Sequence, residues 1–180
     1  MITPNAEYKK LISHRLKENM KSFKLLYEIQ HYGNCISIMC QELDQVINLL
    51  FLLNSNKDDK KSFIYSSINN QKWYKTTKEN NKVYITEEMI VRFAETLQGW
   101  DKSIYEFGLS FNSLSKSFNY GSRDPIKSMT EMDREKLYNY IKEYHNKEFP
   151  IHFSLNDLIP VLPLIINEIS IKLKDYLDKI

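Results

Sequence analysis

Residues 86–118 read TEEMIVRFAETLQGWDKSIYEFGLSFNSLSKSF, and within them Ile90, Phe93, Leu97, Trp100, Ile104, Phe107, Phe111, Leu114 and Phe118 recur at alternating steps of three and four. That is the heptad-like spacing of a buried helical seam, and Thr86 is placed to cap its N-terminus. Gly99 and Gly108 interrupt the pattern. Each costs about 1 kcal/mol in helix propensity, so each marks a bend or the close packing of another backbone.

The chain on either side has the same period. From Ala6 to His31 the positions Tyr8, Leu11, Ile12, Leu16, Met20, Phe23 and Tyr27 form one helical face, and Gly33 and Asn34 act as stop signals. Ile36, Met39, Leu43, Val46, Ile47, Leu50 and Leu53 then define a second, more apolar helix. Its neighbours Leu49, Phe51 and Leu52 widen the apolar surface beyond one stripe, which calls for contacts on two sides or a second copy of the chain. After the seam, SFNYGSRDP at 117–125 ends the helix, and Ser128 with Glu131 has the form of a capping box for a helix running to about His145. Ser154 and Asp157 flag the last start, where Pro160 and Pro163 require a kink or a helix that begins properly at Pro163.

These readings predict an all-α fold, a four- to five-helix bundle forming a single domain over 1–180. Residues 54–85 are a polar insertion between the second and third helices, a loop with a short helix or hairpin. Only four glycines and five prolines in 180 residues argue against an all-β chain, which needs turn residues at regular spacing. The N-terminus lacks the apolar core of a signal peptide, and Gln41, Glu42, Asp44, Gln45 and Asn48 interrupt the most apolar stretch, so neither secretion nor a membrane span is expected. Cys35 and Cys40 diverge by about 140° on a helix, which suits free thiols in a reducing, cytoplasmic setting.

The net charge of +2 is far below that of a dedicated nucleic-acid binder. The charges are uneven, however: residues 1–31 hold six basic and three acidic side chains, and residues 57–82 hold seven and three. In the second region Trp73, Tyr74 and Tyr84 lie among Lys72, Lys75, Lys78 and Lys82, a composition able to stack the bases of a single strand. The alternative is a solvated face with aromatics at the rim of a core.

No metal or cofactor is expected. Glu28 and His31 make only one of the two Glu-x-x-His pairs a dinuclear bundle requires, and Pro150 separates His145 and Glu148 from His152. G-x-S-x-G, G-x-x-x-x-G-K and G-x-G-x-x-G are all missing, and Cys40 reads as a small core residue rather than a nucleophile. The segment Asn119–Lys127 offers a candidate ligand site: Asn119, Tyr120, Arg123 as a bidentate phosphate grip, and Lys127 as a point charge near the start of a helix. A turn at Tyr120 and Gly121, with Arg123 and Asp124 pairing each other or helix ends, is the structural alternative.

The helix ending in SFNYGSRDP, the capped amphipathic helix after it, and the last helix through IPVLPLIINEISIKLKDYL resemble, over residues 86–180, the HEPN-like helical superfamily. The resemblance implies a bundle that is commonly dimeric and belongs to bacterial toxin and defence systems, whose active members are metal-independent RNases with an Arg followed four to six residues later by a His. Arg15, Arg92, Arg123 and Arg134 all lack a His at that distance, so no catalytic residue carries over. The expectation is therefore a cytoplasmic, homodimeric, noncatalytic binding or regulatory module whose partner is another protein, RNA or a nucleotide. The alternative is an RNase or nucleotide-modifying enzyme with a degenerate site around Arg123, using Tyr120 or His145.

Overall fold

The computed structural model describes residues 2–77, 79–98, 102–112, 119–150 and 152–180. It is mostly helical, as expected: α1 (Pro4–Glu28), α2 (Tyr32–Leu53), α3 (Lys57–Ile68), strands β1 (Tyr74–Thr76) and β2 (Lys82–Tyr84), α4 (Glu87–Gln98), α5 (Lys102–Asn112), α6 (Glu131–His145), α7 (Leu155–Leu158) and α8 (Leu162–Asp178). The polar insertion contains both a helix and a hairpin. The chain packs as two compact units, one of residues 1–18, 44–100 and 172–180, the other of residues 19–43 and 101–171.

Local chemistry moves several boundaries from their expected places. The break between α1 and α2 is made at Gln30, which adopts a left-handed backbone (φ 62°), and the His31 N–H reaches back to the Leu26 carbonyl at 2.8 Å. This six-to-one bond is a Schellman closure without glycine. Gly33 and Asn34, expected to stop a helix, instead lie in the first turn of α2. The cap of α6 is Thr130, whose Oγ1 accepts from the Asp133 N–H at 3.1 Å, so the expected Ser128 and Glu131 box is displaced by two residues. Ser154 and Asp157 do form a capping box, opening α7. Pro160 then falls in a 3-10 turn (Ile159–Val161), and Pro163 is the second residue of α8, where a missing N–H costs no helical bond.

In the first unit Tyr8, Ile12, Val46, Leu49, Leu52 and Phe63 are buried, and the Asn5 side-chain amide donates to the Ile180 carbonyl at 3.1 Å. Phe51, Phe63 and Trp73 form an aromatic stack, with Trp73 5.0 Å from Phe63 at 15° and 6.0 Å from Phe51 at 23°. Phe93 closes on the edge of Phe51 at 5.3 Å. The seam thus contributes to this core through Phe93 and the buried Ile90.

The second unit buries Phe23, Ile36, Met39, Leu43, Ile104, Phe111, Leu137, Ile141, Phe153 and Leu162. Ser37 Oγ donates to the Phe111 carbonyl at 2.8 Å, and the buried Cys40 thiol, which is in no disulfide, donates to the Tyr105 carbonyl at 3.9 Å. Gly108 explains itself here: a Cβ at this position would lie 2.8 Å from Cys40 Cβ and 3.2 Å from its sulfur. Of the two expectations for a seam glycine, Gly108 meets close packing; the bend expected at Gly99, with Trp100, Leu114, Phe118 and the Leu97 side chain, lies outside the described residues. Glu42 is fully buried and takes a 2.5 Å hydrogen bond from the Asn19 amide, the kind of partner a carboxylate needs away from water.

Helix α2 is long and apolar enough to cross a membrane by length and composition, and 67% of its most apolar window is buried inside the protein. Leu49, Phe51 and Leu52, the residues that widen its apolar surface, are buried.

Candidate functional site

The segment expected to bind a ligand is held by its own bonds. The backbone N–H groups of Ser122 and Arg123 both donate to the Asn119 carbonyl, closing a turn. The Tyr120 ring packs 6.4 Å from Phe111. Arg123 directs Nε to Ser128 Oγ at 3.1 Å, while Asp124 accepts from the backbone of Ile126 at 2.9 Å and of Leu155, the first residue of α7, at 3.2 Å. Arg123 and Lys127 are exposed, Lys127 in the 3-10 turn Ile126–Ser128. Asn119 and Arg123 are therefore brought together in one turn, whereas His145 stands at the end of α6, its Nε2 3.4 Å from a Glu168 oxygen.

His145, Glu148 and His152 also have separate neighbours. Glu148 pairs with Lys142 at 3.1 Å, and His152 joins Arg134, Tyr138 and Phe153 around a cleft of about 380 Å³. No three His, Cys, Asp or Glu side chains converge as a metal site among the described residues.

A larger groove, about 1200 Å³, lies in the first unit, and it is built around the insertion. Asn56 starts α3 by accepting from the N–H groups of Asp58 and Asp59. At the other end Asn70 takes a left-handed backbone (φ 54°), and the Gln71 N–H returns to the Ser66 carbonyl at 2.7 Å, which turns the chain into β1. Strands β1 and β2 pair antiparallel in the register Tyr74 with Tyr84, Lys75 with Val83 and Thr76 with Lys82. Alternation along the strands separates two faces. Lys75 is bonded to Asp59 at 3.4 Å and lies over the Phe51 ring, pinning one face of the hairpin to α3 and the aromatic core. Tyr74, Tyr84 and Lys82 occupy the other face and line the groove.

The opposite side of the groove comes from distant sequence: Tyr8 of α1, Gln45 and Asn48 of α2, Ser67 of α3, and Thr86, Glu87 and Ile90 at the start of α4. Ser67 fixes this wall. Its Oγ donates to the Phe63 carbonyl at 2.9 Å, receives the Trp73 indole N–H at 2.8 Å, and is bonded to the Tyr8 phenol. Burial holds the Tyr8 phenol far above its usual range, with the Ser67 bond opposing, so its hydroxyl keeps its proton at any physiological pH.

The electrostatics are modest and local. Lys72 and Lys82 line the groove, Glu87 stands at its α4 end, and Lys82 Nζ rests 4.4 Å from the centre of the Tyr74 ring. Tyr74 and Tyr84 meet edge to face at 6.2 Å, and Tyr84 is exposed. The wall thus presents aromatic side chains bordered by cations. The composition of 57–82 signals this platform; the α2 amides and Tyr8 are missed, because nothing local to them announces a groove.

No family model matches the chain, and no curated protein or solved structure matches it. The groove has to be read from its own chemistry.

Proposed function

We propose that this protein is a noncatalytic binding module whose groove takes single-stranded nucleic acid. The observation that carries the reading is the hairpin face, where Tyr74 and Tyr84 stand beside Lys82 and line, together with Lys72, a groove of about 1200 Å³. Stacking on aromatic rings and attraction of phosphates to lysines are the two terms that single-strand binders combine. Lys82 already lies on a ring, and its stem lets the ammonium swing to a phosphate when a base takes that face. The hairpin is anchored through Lys75, so the platform exists before the ligand arrives and loses little entropy on binding. A resemblance to noncatalytic HEPN-like bundles is compatible with a binding role.

The test is fluorescence anisotropy of a labelled single strand of about ten nucleotides, a length within the usual range of such sites. Saturable binding is expected, with a log-log salt slope near −1.4, about −0.7 for each of two lysine contacts. Lys82→Ala should reduce the slope by roughly half, and Tyr74→Ala should weaken binding by roughly tenfold or more. No saturation at about 0.1 mM protein in low salt, where even non-specific binders associate, rules the proposal out.

A further inference from the structure

Helix α2 buries Leu43, Val46, Ile47, Leu49, Leu50, Phe51 and Leu52, and two amides, Gln45 and Asn48, lie among them. Gln45 and Asn48 are three residues apart, both half-buried, and both line the groove opposite the hairpin. Neither side chain makes a hydrogen bond to the described residues, although Asn54 and Asn56, outside the groove, both spend theirs on the protein. An amide that serves the fold is bonded to it; one held half out of water beside an open cavity has donor and acceptor capacity to give.

We infer that Gln45 and Asn48 read the edge of a nucleobase stacked on the Tyr74 and Tyr84 wall, so that the groove discriminates between bases. This rests on the nucleic-acid reading of the groove given above. Stacking alone cannot discriminate strongly, because every base has a π-face, and lysine contacts to phosphate carry no sequence information. A side-chain amide sets a donor beside an acceptor, the same arrangement found on base edges, and Asn and Gln are the side chains that pair bidentately with bases. The spacing on α2 puts both amides on one side of the helix, about 60° apart in projection. Affinity then comes from the hairpin and selectivity from α2.

The test compares oligo(A), oligo(C), oligo(U) and an abasic strand, each of about ten nucleotides, on the full chain, with the nucleoside monophosphates as competitors. One homopolymer should bind roughly tenfold tighter than the weakest, the discrimination a good amide pair supplies. Gln45→Leu with Asn48→Leu should collapse that spread, so that the three homopolymers converge on one Kd. Gln45→Glu, which keeps the side chain's shape and removes its donors, should change the order of preference. A strand that gains over the matching monophosphate identifies the source of the base as a strand; equal affinities identify a free nucleotide, which keeps the base reading and overturns the strand. Equal binding of the three homopolymers overturns the inference and leaves strand binding standing. Absence of binding by every strand and monophosphate overturns both.

Discussion

Gly108→Ala tests the packing of the second unit with a single methyl group. On an isolated helix the change is favourable, because alanine exceeds glycine in helix propensity by about 1 kcal/mol. Here the added carbon would meet Cys40 Cβ at 2.8 Å, closer than such atoms come in proteins, and the Cys40 sulfur at 3.2 Å and Cα at 3.6 Å. The nearest atom belongs to the stem of a fully buried side chain, so no rotamer change relieves the contact. Overpacking of this kind costs typically about 1–3 kcal/mol, which outweighs the propensity gain when the neighbours cannot shift. With the propensity gain subtracted from a mid-range overpacking cost of about 2 kcal/mol, the net expectation is a loss of about 1 kcal/mol, or a fall in Tm of about 3 °C for a chain of this size. Thermal melts and urea titrations of the native protein and the variant measure it. Cys40→Ala should give no rescue, since it retains the clashing Cβ, whereas Cys40→Gly should show a coupling energy of opposite sign in a double-mutant cycle. A Gly108→Ala variant as stable as the native protein, or more so, refutes the reasoning.

Two further outcomes follow from a half-buried carboxylate and a buried thiol. Asp124→Ala removes the acceptor shared by the Ile126 and Leu155 N–H groups and should cost about 1–2 kcal/mol, with Asp124→Asn costing less; equal urea midpoints for the native protein and the alanine variant would show that the loop does not depend on this carboxylate. Burial pushes the Cys35 thiol up to about 11. The unfolded thiol ionises near its ordinary value of about 8.5 while the folded one keeps its proton, so stability is constant below that pH and falls as pH rises toward 11. Cys35→Ala should flatten part of that decline, and thiol reagents at pH 8 should label the native protein only as fast as it opens; rapid labelling would contradict the assignment.

What was legible in the sequence was whatever repeats with a helical period. The helical faces at Ile90 and Phe93 of α4 and at Ile104, Phe107 and Phe111 of α5, those of α1 and α2, and the capping box at Ser154 all depend on neighbours within one or two turns, and such neighbours can be counted along the chain. The hairpin was less legible, because strands of three residues are too short to show an alternating pattern and their turn lacks glycine. Helix ends decided by a left-handed Gln30 or by Thr130 rather than Ser128 were misplaced, since several residues compete for each cap and tertiary packing selects one. The groove was the least visible. Its aromatic wall is contiguous, but its floor joins Tyr8, Gln45 and Asn48 from two earlier helices, and Gln45 and Asn48 read locally only as interruptions of an apolar segment.

Each compact unit is assembled from separated stretches of chain, and this has a consequence for synthesis on the ribosome. The second unit needs nothing beyond residue 171, so all of its parts have been made before the first unit can be completed by residues 172–180. Until then Phe51, Phe63 and Trp73 belong to an unfinished core, and folding in the order of translation, the common course for domains, is denied to the unit that holds the N-terminal residues. While residues 172–180 are still to be made, the aromatic core of the first unit is therefore incomplete, the interval in which a chaperone that shields hydrophobic segments would have most to protect there.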